Sequence, residues 1–358
     1  MRNFDLLLGL LLLAVGLPVF AGPDSDFIED AKSFPKFVMP ALRTSQETTA
    51  EWYDDHRIIM SVRSLPSGWT AAEHELSRVI LLDTEDGHVE QTPYEGELLC
   101  YSRDRMTLRH HWRIGGAYSD RANPGNIFES GVFGGRLDRI EWPRLSFLNP
   151  ATCEVLPHSK KLDSGMVVMD QPLTPGHPTI RLERLWPGNS INGSHFLLID
   201  AAGNTLTDVS TDWYSTPLPH NSTYMPWLGS HLLWRGYNYS PLVVNKAGEV
   251  SEQKVPRKIL EWSRTFRLDG VGRMTRAGMA WVLTVTSSSA VRGIYLEEED
   301  GALRRIENGA VAGWIRVSPD GCKLRYSRTR FGFEEKRTVE EMAKTRQWVV
   351  VDVCAGKR

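Results

Sequence analysis

The stretch Val317-Ser318-Pro319-Asp320-Gly321-Cys322-Lys323-Leu324-Arg325-Tyr326-Ser327-Arg328, followed by Trp348-Val349-Val350-Val351-Asp352, decides how this chain is read. Ser-Pro-Asp-Gly is a tight-turn signal: proline is pre-set for the first central position, and glycine takes positive φ at no steric cost. A strand-like segment follows, then a polar excursion, then a β-branched run ending in aspartate. Strand, excursion and returning strand are the parts of an antiparallel hairpin.

The closing part of this motif, an apolar run, then Asp or Asn, then a turn with Gly, recurs along the chain. Val79-Ile80-Leu81-Leu82-Asp83 leads to Gly87, and Leu145-Ser146-Phe147-Leu148-Asn149 leads to Cys153 in the glycine place. Phe196-Leu197-Leu198-Ile199-Asp200 leads to Gly203, and Leu242-Val243-Val244-Asn245 to Gly248. Ile294-Tyr295-Leu296 runs through an acidic stretch to Asp300-Gly301, and the Asp352 run leads to Gly356. A recurrence of roughly 45–65 residues is the period of a repeat architecture. Each closing run has a candidate partner strand before it: Ile58 to Val62, Thr179 to Trp186, Leu232 to Tyr237, Met279 to Thr286 and Cys322 to Arg328. For the second run the partner is Gly96-Glu97-Leu98-Leu99-Cys100-Tyr101-Ser102-Arg103-Asp104-Arg105, which aligns without a gap on 321–330. Six strand pairs result, each read as the middle of a four-stranded antiparallel unit. The stretch 106–144 is longer than a connection should be, and is either an insertion or a degenerate seventh unit. No low-complexity linker divides residues 22–358, so one domain is expected there. The 12 tryptophans, spread from Trp52 to Trp348, suit units that each need a large apolar anchor.

The turn at 318–321, the strand after it and the run ending in Asp352 resemble the repeat of TolB-like and WD-repeat-type β-propellers. By period the resemblance covers most of the chain; by motif it covers 317–356. The Trp-Asp dipeptide is absent, which moves the likeness toward the bacterial TolB-like type. The resemblance implies an all-β propeller of six, or seven, four-stranded antiparallel blades. The last blade then lacks an outer strand, and Phe37-Val38-Met39-Pro40-Ala41-Leu42 is expected to supply it, closing the ring and covering an exposed sheet edge.

Residues 1–21 read as a secretory signal peptide: Arg2 gives a basic start, Leu6 to Val19 is a broken apolar run, and Val19-Phe20-Ala21 fits the small-residue cleavage pattern. The rival is a retained N-terminal anchor. After cleavage no apolar stretch is long enough to span a bilayer as a helix. An exported protein is expected, periplasmic if bacterial and otherwise secreted. Export permits disulfides between Cys100, Cys153, Cys322 and Cys354. A hairpin loop centred near Thr338 sets Cys322 against Cys354, which leaves Cys100 for Cys153, although the analogous register places Cys100 nearer Leu148. A metal site is the alternative, without Cys-x-x-Cys spacing to support it.

A net charge of −2 argues against a nucleic-acid partner. No nucleophile elbow, phosphate loop, dinucleotide fingerprint or His-Glu-x-x-His pattern is present, and neither a cofactor nor a metal is expected. The strongest binding candidate is the aromatic segment with Trp213, Tyr214, Tyr224, Trp227, Trp234, Tyr237 and Tyr239, since aromatics with polar tips make good platforms for carbohydrate or peptide. Blade core is the competing reading of the same residues. Catalytic candidates are weak: His110, His111, His177, His195 and His231. Adjacent residues of a strand face opposite sides, so His110 and His111 cannot share one ion from a regular strand. Glu297-Glu298-Glu299-Asp300 reads as a solvated hairpin tip, and Arg103, Arg105, Arg325, Arg328 and Arg330 as surface charge. The leading expectation is a non-enzymatic, protein-binding propeller: a scaffold, a cell-envelope complex subunit or an inhibitor of a secreted enzyme. The alternative is a glycan- or peptide-processing hydrolase or lyase working in the central channel.

Overall fold

The closing runs are apolar at every position, rather than at alternate ones, because both of their faces are covered. Ile80 and Leu82 point into one buried cluster while Val79 and Leu81 point into another. Val349 and Val351 face Leu324 and Tyr326, while Trp348 and Val350 face the opposite way, toward Met60 and Ile80. A strand buried on both faces needs a layer on each side.

A computed structural model of the chain describes residues 34–39, 50–65, 67–71, 76–102, 105–110, 127–141, 146–148, 153, 155–157, 166–170, 178–184, 194–211, 222–234, 240–262, 272–283, 289–299, 301–308, 311–329 and 346–355. Residues 1–21, expected from the sequence to be a signal peptide, lie outside them. The first strand is β1 (Lys36–Val38). The first sheet holds β2 (Ala50–Trp52), β3 (Arg57–Val62), β4 (Arg78–Asp83) and β5 (Val89–Glu95). The second holds β6 (Glu97–Ser102), β7 (Arg105–His110), β8 (Ile127–Val132) and β9 (Leu137–Glu141). A two-stranded hairpin, β10 (Ser146–Leu148) and β11 (Val155–Pro157), comes next. The third sheet is β12 (Met166–Asp170), β13 (Thr179–Arg184), β14 (Ser194–Ile199) and β15 (Thr205–Thr211). The fourth is β16 (Ser222–Met225), β17 (Ser230–Leu233), β18 (Leu242–Asn245) and β19 (Val250–Glu252), followed by helix α1 (Arg257–Trp262). The fifth is β20 (Gly272–Thr275), β21 (Gly278–Leu283), β22 (Gly293–Glu297) and β23 (Leu303–Asn308). The last comprises β24 (Val311–Val317), β25 (Lys323–Thr329) and β26 (Arg346–Asp352), with β1 as its fourth strand beside β26.

The first five four-stranded sheets are antiparallel meanders, the sixth is a three-stranded meander with β1 added antiparallel to β26, and the buried clusters knit successive sheets together. One joins the first and second sheets, and others join the third to the fourth, the fourth to the fifth and the fifth to the sixth. A further cluster, with Trp348 and Val350 against Ile58, Met60 and Ile80, joins the sixth sheet to the first. First strands of successive sheets lie side by side, β2 next to β6 and β24, β12 next to β16, and β20 next to β24. Four-stranded antiparallel sheets packed face to face, with their first strands gathered about one axis, define a β-propeller.

Most expected pairings are present. β3 pairs with β4, β13 with β14, β17 with β18, β21 with β22 and β25 with β26. The pairing of 96–105 with the 145–149 run is overturned. β6 is the first strand of its sheet and pairs with β7, whereas β10 pairs with β11. The gapless likeness between 96–105 and 321–330 therefore relates a first strand to a second strand. The described residues of 106–144 supply β7, β8 and β9 of the second sheet.

The turn chemistry follows the residue choice. Asp200 Oδ1 accepts from the amides of Ala202 (2.9 Å) and Asn204 (2.8 Å), and Asn245 Oδ1 from those of Ala247 (2.9 Å) and Glu249 (3.0 Å). Asp352 Oδ1 does the same for Cys354 and Ala355. A short acceptor side chain that bonds its own backbone ahead is what makes Asp and Asn turn residues. Cys153, in the glycine place of the second run, has φ 55°.

Candidate binding face

In a four-stranded meander the first and third turns emerge at the same end, so each sheet offers two turn tips to one face of the propeller. The Ser318–Gly321 tip of the sixth sheet is the best-anchored of these. Gly321 N donates to Ser318 O (2.8 Å), Lys323 N to Ser318 Oγ (2.8 Å) and Cys322 N to Asp320 Oδ1 (3.0 Å). Gly321 O accepts from the amide of Arg276 (2.8 Å), which lies in the β20–β21 turn of the fifth sheet. The Lys323 ammonium reaches Glu85 of the β4–β5 turn at 3.1 Å. Disulfides join Cys322 to Cys354 (Cα–Cα 5.2 Å) and Cys100 to Cys153 (Cα–Cα 5.6 Å). The β25–β26 register sets Lys323 opposite Asp352, so Cys322 falls opposite Val353, one position from the expected register, and the bridge reaches to the next residue. Cys153 comes within range of Cys100 because its segment folds back onto the second sheet, where its carbonyl accepts from Thr107 Oγ1 (2.7 Å).

Trp227, in the β16–β17 turn, crosses to this tip. Its ring carbons would lie 2.5–2.9 Å from a Cβ placed on Gly321, so the indole rests directly on the glycine backbone. The next residue, Leu228, is 51% exposed. Of the aromatic segment expected to bind, Tyr224 and Trp227 are half-buried and Trp234 is fully buried, edge-on to Trp281. Trp213, Tyr214, Tyr237 and Tyr239 lie outside the described residues, as do His111 and His177. His110 and His195 are placed only as backbone, in β7 and β14. His231 is buried in β17, with Nε2 3.2 Å from Pro178 O and its ring 5.0 Å from Tyr224. The structure thus brings Tyr224 and His231 together, and does not bring Trp234 to the face that carries Trp227.

Two groupings escaped the sequence reading. Tyr53, Tyr94, Tyr101 and Phe133, half-buried, gather where the first two sheets meet, with ring centroids 5.5–6.1 Å apart. These four come from two strand ends and two turns, so no local run announces them. Beside them Arg57 pairs with Asp54 (2.6 Å); burial alone would raise the Asp54 pKa, but this guanidinium and two backbone amides hold it below its usual value. The second grouping centres on the first strands β2, β20 and β24. Glu51 of β2 accepts from Arg316 of β24 at 3.2 Å and lies 3.8 Å from Arg325 of β25, itself stacked over Trp348 at 4.9 Å. Arg316 and Arg325 are direct cross-strand partners. Like charges so placed repel, and Glu51 offsets that repulsion. Arg273 of β20 is buried, and burial, with Arg316 as the second cause, pushes its pKa down to about 9.

Some surface expectations are corrected by these contacts. Arg325 is 2% exposed and stacked, not surface charge, because the face it occupies is closed by the first sheet. Arg109, beside the paired histidines, is tied to the buried Glu97. Of the acidic tip expected to be solvated, Glu297 and Glu298 are half-buried and Glu299 is exposed, while residue 300 lies outside the described residues. Glu297 accepts from Trp281 Nε1 (2.8 Å), burial raises its pKa, and Glu298 pairs with Arg304 (3.0 Å). Among the described residues there is no group of three or more His, Cys, Asp and Glu side chains placed to hold a metal ion.

Fold and face together define a β-propeller with two disulfides. No protein-family model matches the chain, and no curated protein matches it by sequence. Among solved structures it is similar to TolB from Acinetobacter baumannii, with 9% identity over 86% of this chain and 80% of that one, at a TM-score of 0.36. It is also similar to virginiamycin B lyase from Staphylococcus aureus (9% identity, 88% of this chain and 99% of that one, TM-score 0.33). A puromycin hydrolase is a third (13% identity, 81% and 51%, TM-score 0.39). The propeller rests on the sheet order and not on these scores.

Proposed function

We propose that the chain is an exported, non-enzymatic propeller that binds another protein through its turn-tip face, as a scaffold, an envelope-complex subunit or an inhibitor of a secreted enzyme. In this reading residues 22–358 form one domain, the six four-stranded sheets are six blades of one ring, and β1 closes that ring. The observation that carries the binding role is the Pro226–Gly229 turn. It holds Leu228 out to solvent while Trp227 is seated against Gly321, so an apolar side chain stands on a rigid support. A pre-organised apolar anchor loses little entropy on binding, which is the property of an interface hot spot.

A photo-crosslinking residue at position 228 is expected to capture one partner of fixed mass. The same residue at the equally exposed Val250 (46%) is expected to capture none. Leu228→Asp, in the protein without the crosslinking residue, should abolish affinity capture of that same partner while leaving the folding transition unchanged, and equal crosslinking from both positions would refute the reading. Export has its own test: the amino terminus of the protein recovered from outside the cytoplasm should lie near Gly22. A start at Met1 would favour a retained anchor.

The alternative, a glycan- or peptide-processing hydrolase or lyase, draws support from Glu51, Arg273 and Arg316 on strands next to the axis. It requires that Glu51→Gln abolish a measurable turnover while Leu228→Asp leaves it intact.

A further inference from the structure

β1 is attached to the rest of the molecule differently from every other outer strand. Its ladder is short: Lys36, Phe37 and Val38 pair with Val351, Val350 and Val349, flanked by Asp352 N to Pro35 O (3.1 Å) and Met39 N to Trp348 O (3.0 Å). Its side chains part to either side. Phe37 and Met39 turn toward the cluster shared with the first sheet, where the Phe37 ring lies against Gly87. Phe34 and Lys36 turn toward the fifth sheet, Phe34 into the cluster around Ile294 and under Arg304 at 5.6 Å. Lys36 Nζ meets Glu307 Oε2 at 3.3 Å, and Glu307 is the last buried residue of β23.

Glu307 is a junction of three elements. Besides Lys36 from β1, it accepts from Tyr326 Oη (2.7 Å) and lies 3.3 Å from Arg328 Nη1, both on β25. Its other oxygen accepts from the amide of Asn308 (3.0 Å). Arg328 is steadied in turn by Gln347 of β26 (3.2 Å). The carboxylate therefore joins the outer strand of the fifth sheet to two strands of the sixth, one of them β1.

We infer that β1 is a releasable strand and that Glu307 is its latch: when this carboxylate is neutralised, Lys36 loses its anchor and the outer edge of β26 at Val349–Val351 opens. The inference rests on the reading of β1 as the strand that closes the ring. Burial alone would raise the pKa of Glu307, but the Tyr326 hydroxyl, Lys36 and Arg328 outweigh it and hold the group below its usual value. The sign follows from that direction. A carboxylate with a depressed folded-state pKa contributes stability that is fully present above the unfolded value near 4.5 and is lost as pH falls through the lower folded value. Acid therefore opens the latch, and the tyrosine, whose own pKa is pushed up by burial and by Glu307, stays protonated throughout. An opened β26 presents a bare, apolar, β-branched edge, the form of edge that accepts an added strand.

Amide hydrogen exchange of the whole chain, read as protection factors, tests this. At pH 7 segments 34–39 and 349–352 should be protected. Below pH 4 they should lose protection while 323–329 keeps its own. Glu307→Gln should show the loss already at pH 7, without further pH dependence at β1. Lys36→Met, which leaves Tyr326 and Arg328 on Glu307, should do likewise. Loss of protection in step across all strands, or wild-type behaviour of both variants, overturns the latch. Absence of protection in 34–39 at pH 7 in the wild type instead overturns ring closure by β1, so the two failures are told apart.

Discussion

Replacing Gly321 with alanine should be among the most damaging single substitutions in the sixth sheet, at about 2–5 kcal/mol. Two costs combine. The residue has φ +81°, where a Cβ adds roughly 1–2 kcal/mol of backbone strain. The new methyl would also meet the Trp227 ring at 2.5 Å, and overpacking of that kind costs about 1–3 kcal/mol. Gly301→Ala separates the two terms, because Gly301 has the same φ of +81° and nothing within 4 Å of its added Cβ. Denaturant midpoints should show Gly301→Ala losing the strain term alone. Adding Trp227→Leu to Gly321→Ala should recover the difference. Equal losses at 301 and 321 would mean that the indole does not press on the turn, and would also remove the support proposed for Leu228.

Removing either disulfide should have an effect of similar or greater size. The bridges span sequence separations of 32 and 53, and cross-links over loops of that length constrain the unfolded chain by roughly 3.5–4 kcal/mol each. Cys322→Ser with Cys354→Ser should lower the unfolding free energy by about that amount, with Cys100→Ser plus Cys153→Ser slightly worse. Cys153 offers an internal check, since its φ of 55° is strained for any side chain. In a Cys100→Ala background, Cys153→Gly should be more stable than Cys153→Ser by about 1 kcal/mol. Unfolding with and without a reductant, followed by fluorescence of the tryptophans, measures all of these. Indifference to reductant would show that the bridges are not formed in the folded protein.

The third strands of five sheets are legible because they are covered on both sides, whereas the third strand of the second sheet, β8, is not legible. A strand such as Val79–Leu82 must be apolar at every position, and its end must carry an acceptor such as Asp83 or Asn245 to fold the turn. Such constraints are local, and local constraints leave a mark in sequence. First strands obey weaker rules. β2 is three residues long, and β24 mixes Gly313, Trp314 and Arg316, because these strands line the axis and must accommodate one another rather than a flat apolar layer. The second sheet is illegible for that reason, since β6 carries apolar residues like those of a second strand yet is the first strand of its sheet.

The candidate site was less legible still. Trp227 was visible as one aromatic among several, but nothing local says that it sits on Gly321, 94 positions away. The same holds for Glu51, whose partners Arg316 and Arg325 belong to the other end of the sequence. Charges read as surface became interior once a neighbouring sheet was laid over them. Long-range packing decides this, and composition carries no trace of it.

The position of β1 also bears on how the molecule is made. Lys36 and Glu307, which meet in the finished structure, are 271 residues apart in the chain. Whatever order the inner strands take, β1 cannot pair until β26 has been made. A chain emerging from its amino terminus must therefore hold its earliest strand unsatisfied until its final one arrives. Contacts between chain ends are slow to form, and the waiting intermediate exposes an apolar edge. Assembly should accordingly show a late, rate-limiting phase in which the amides of 34–39 and 349–352 become protected together, after the rest of the sheets.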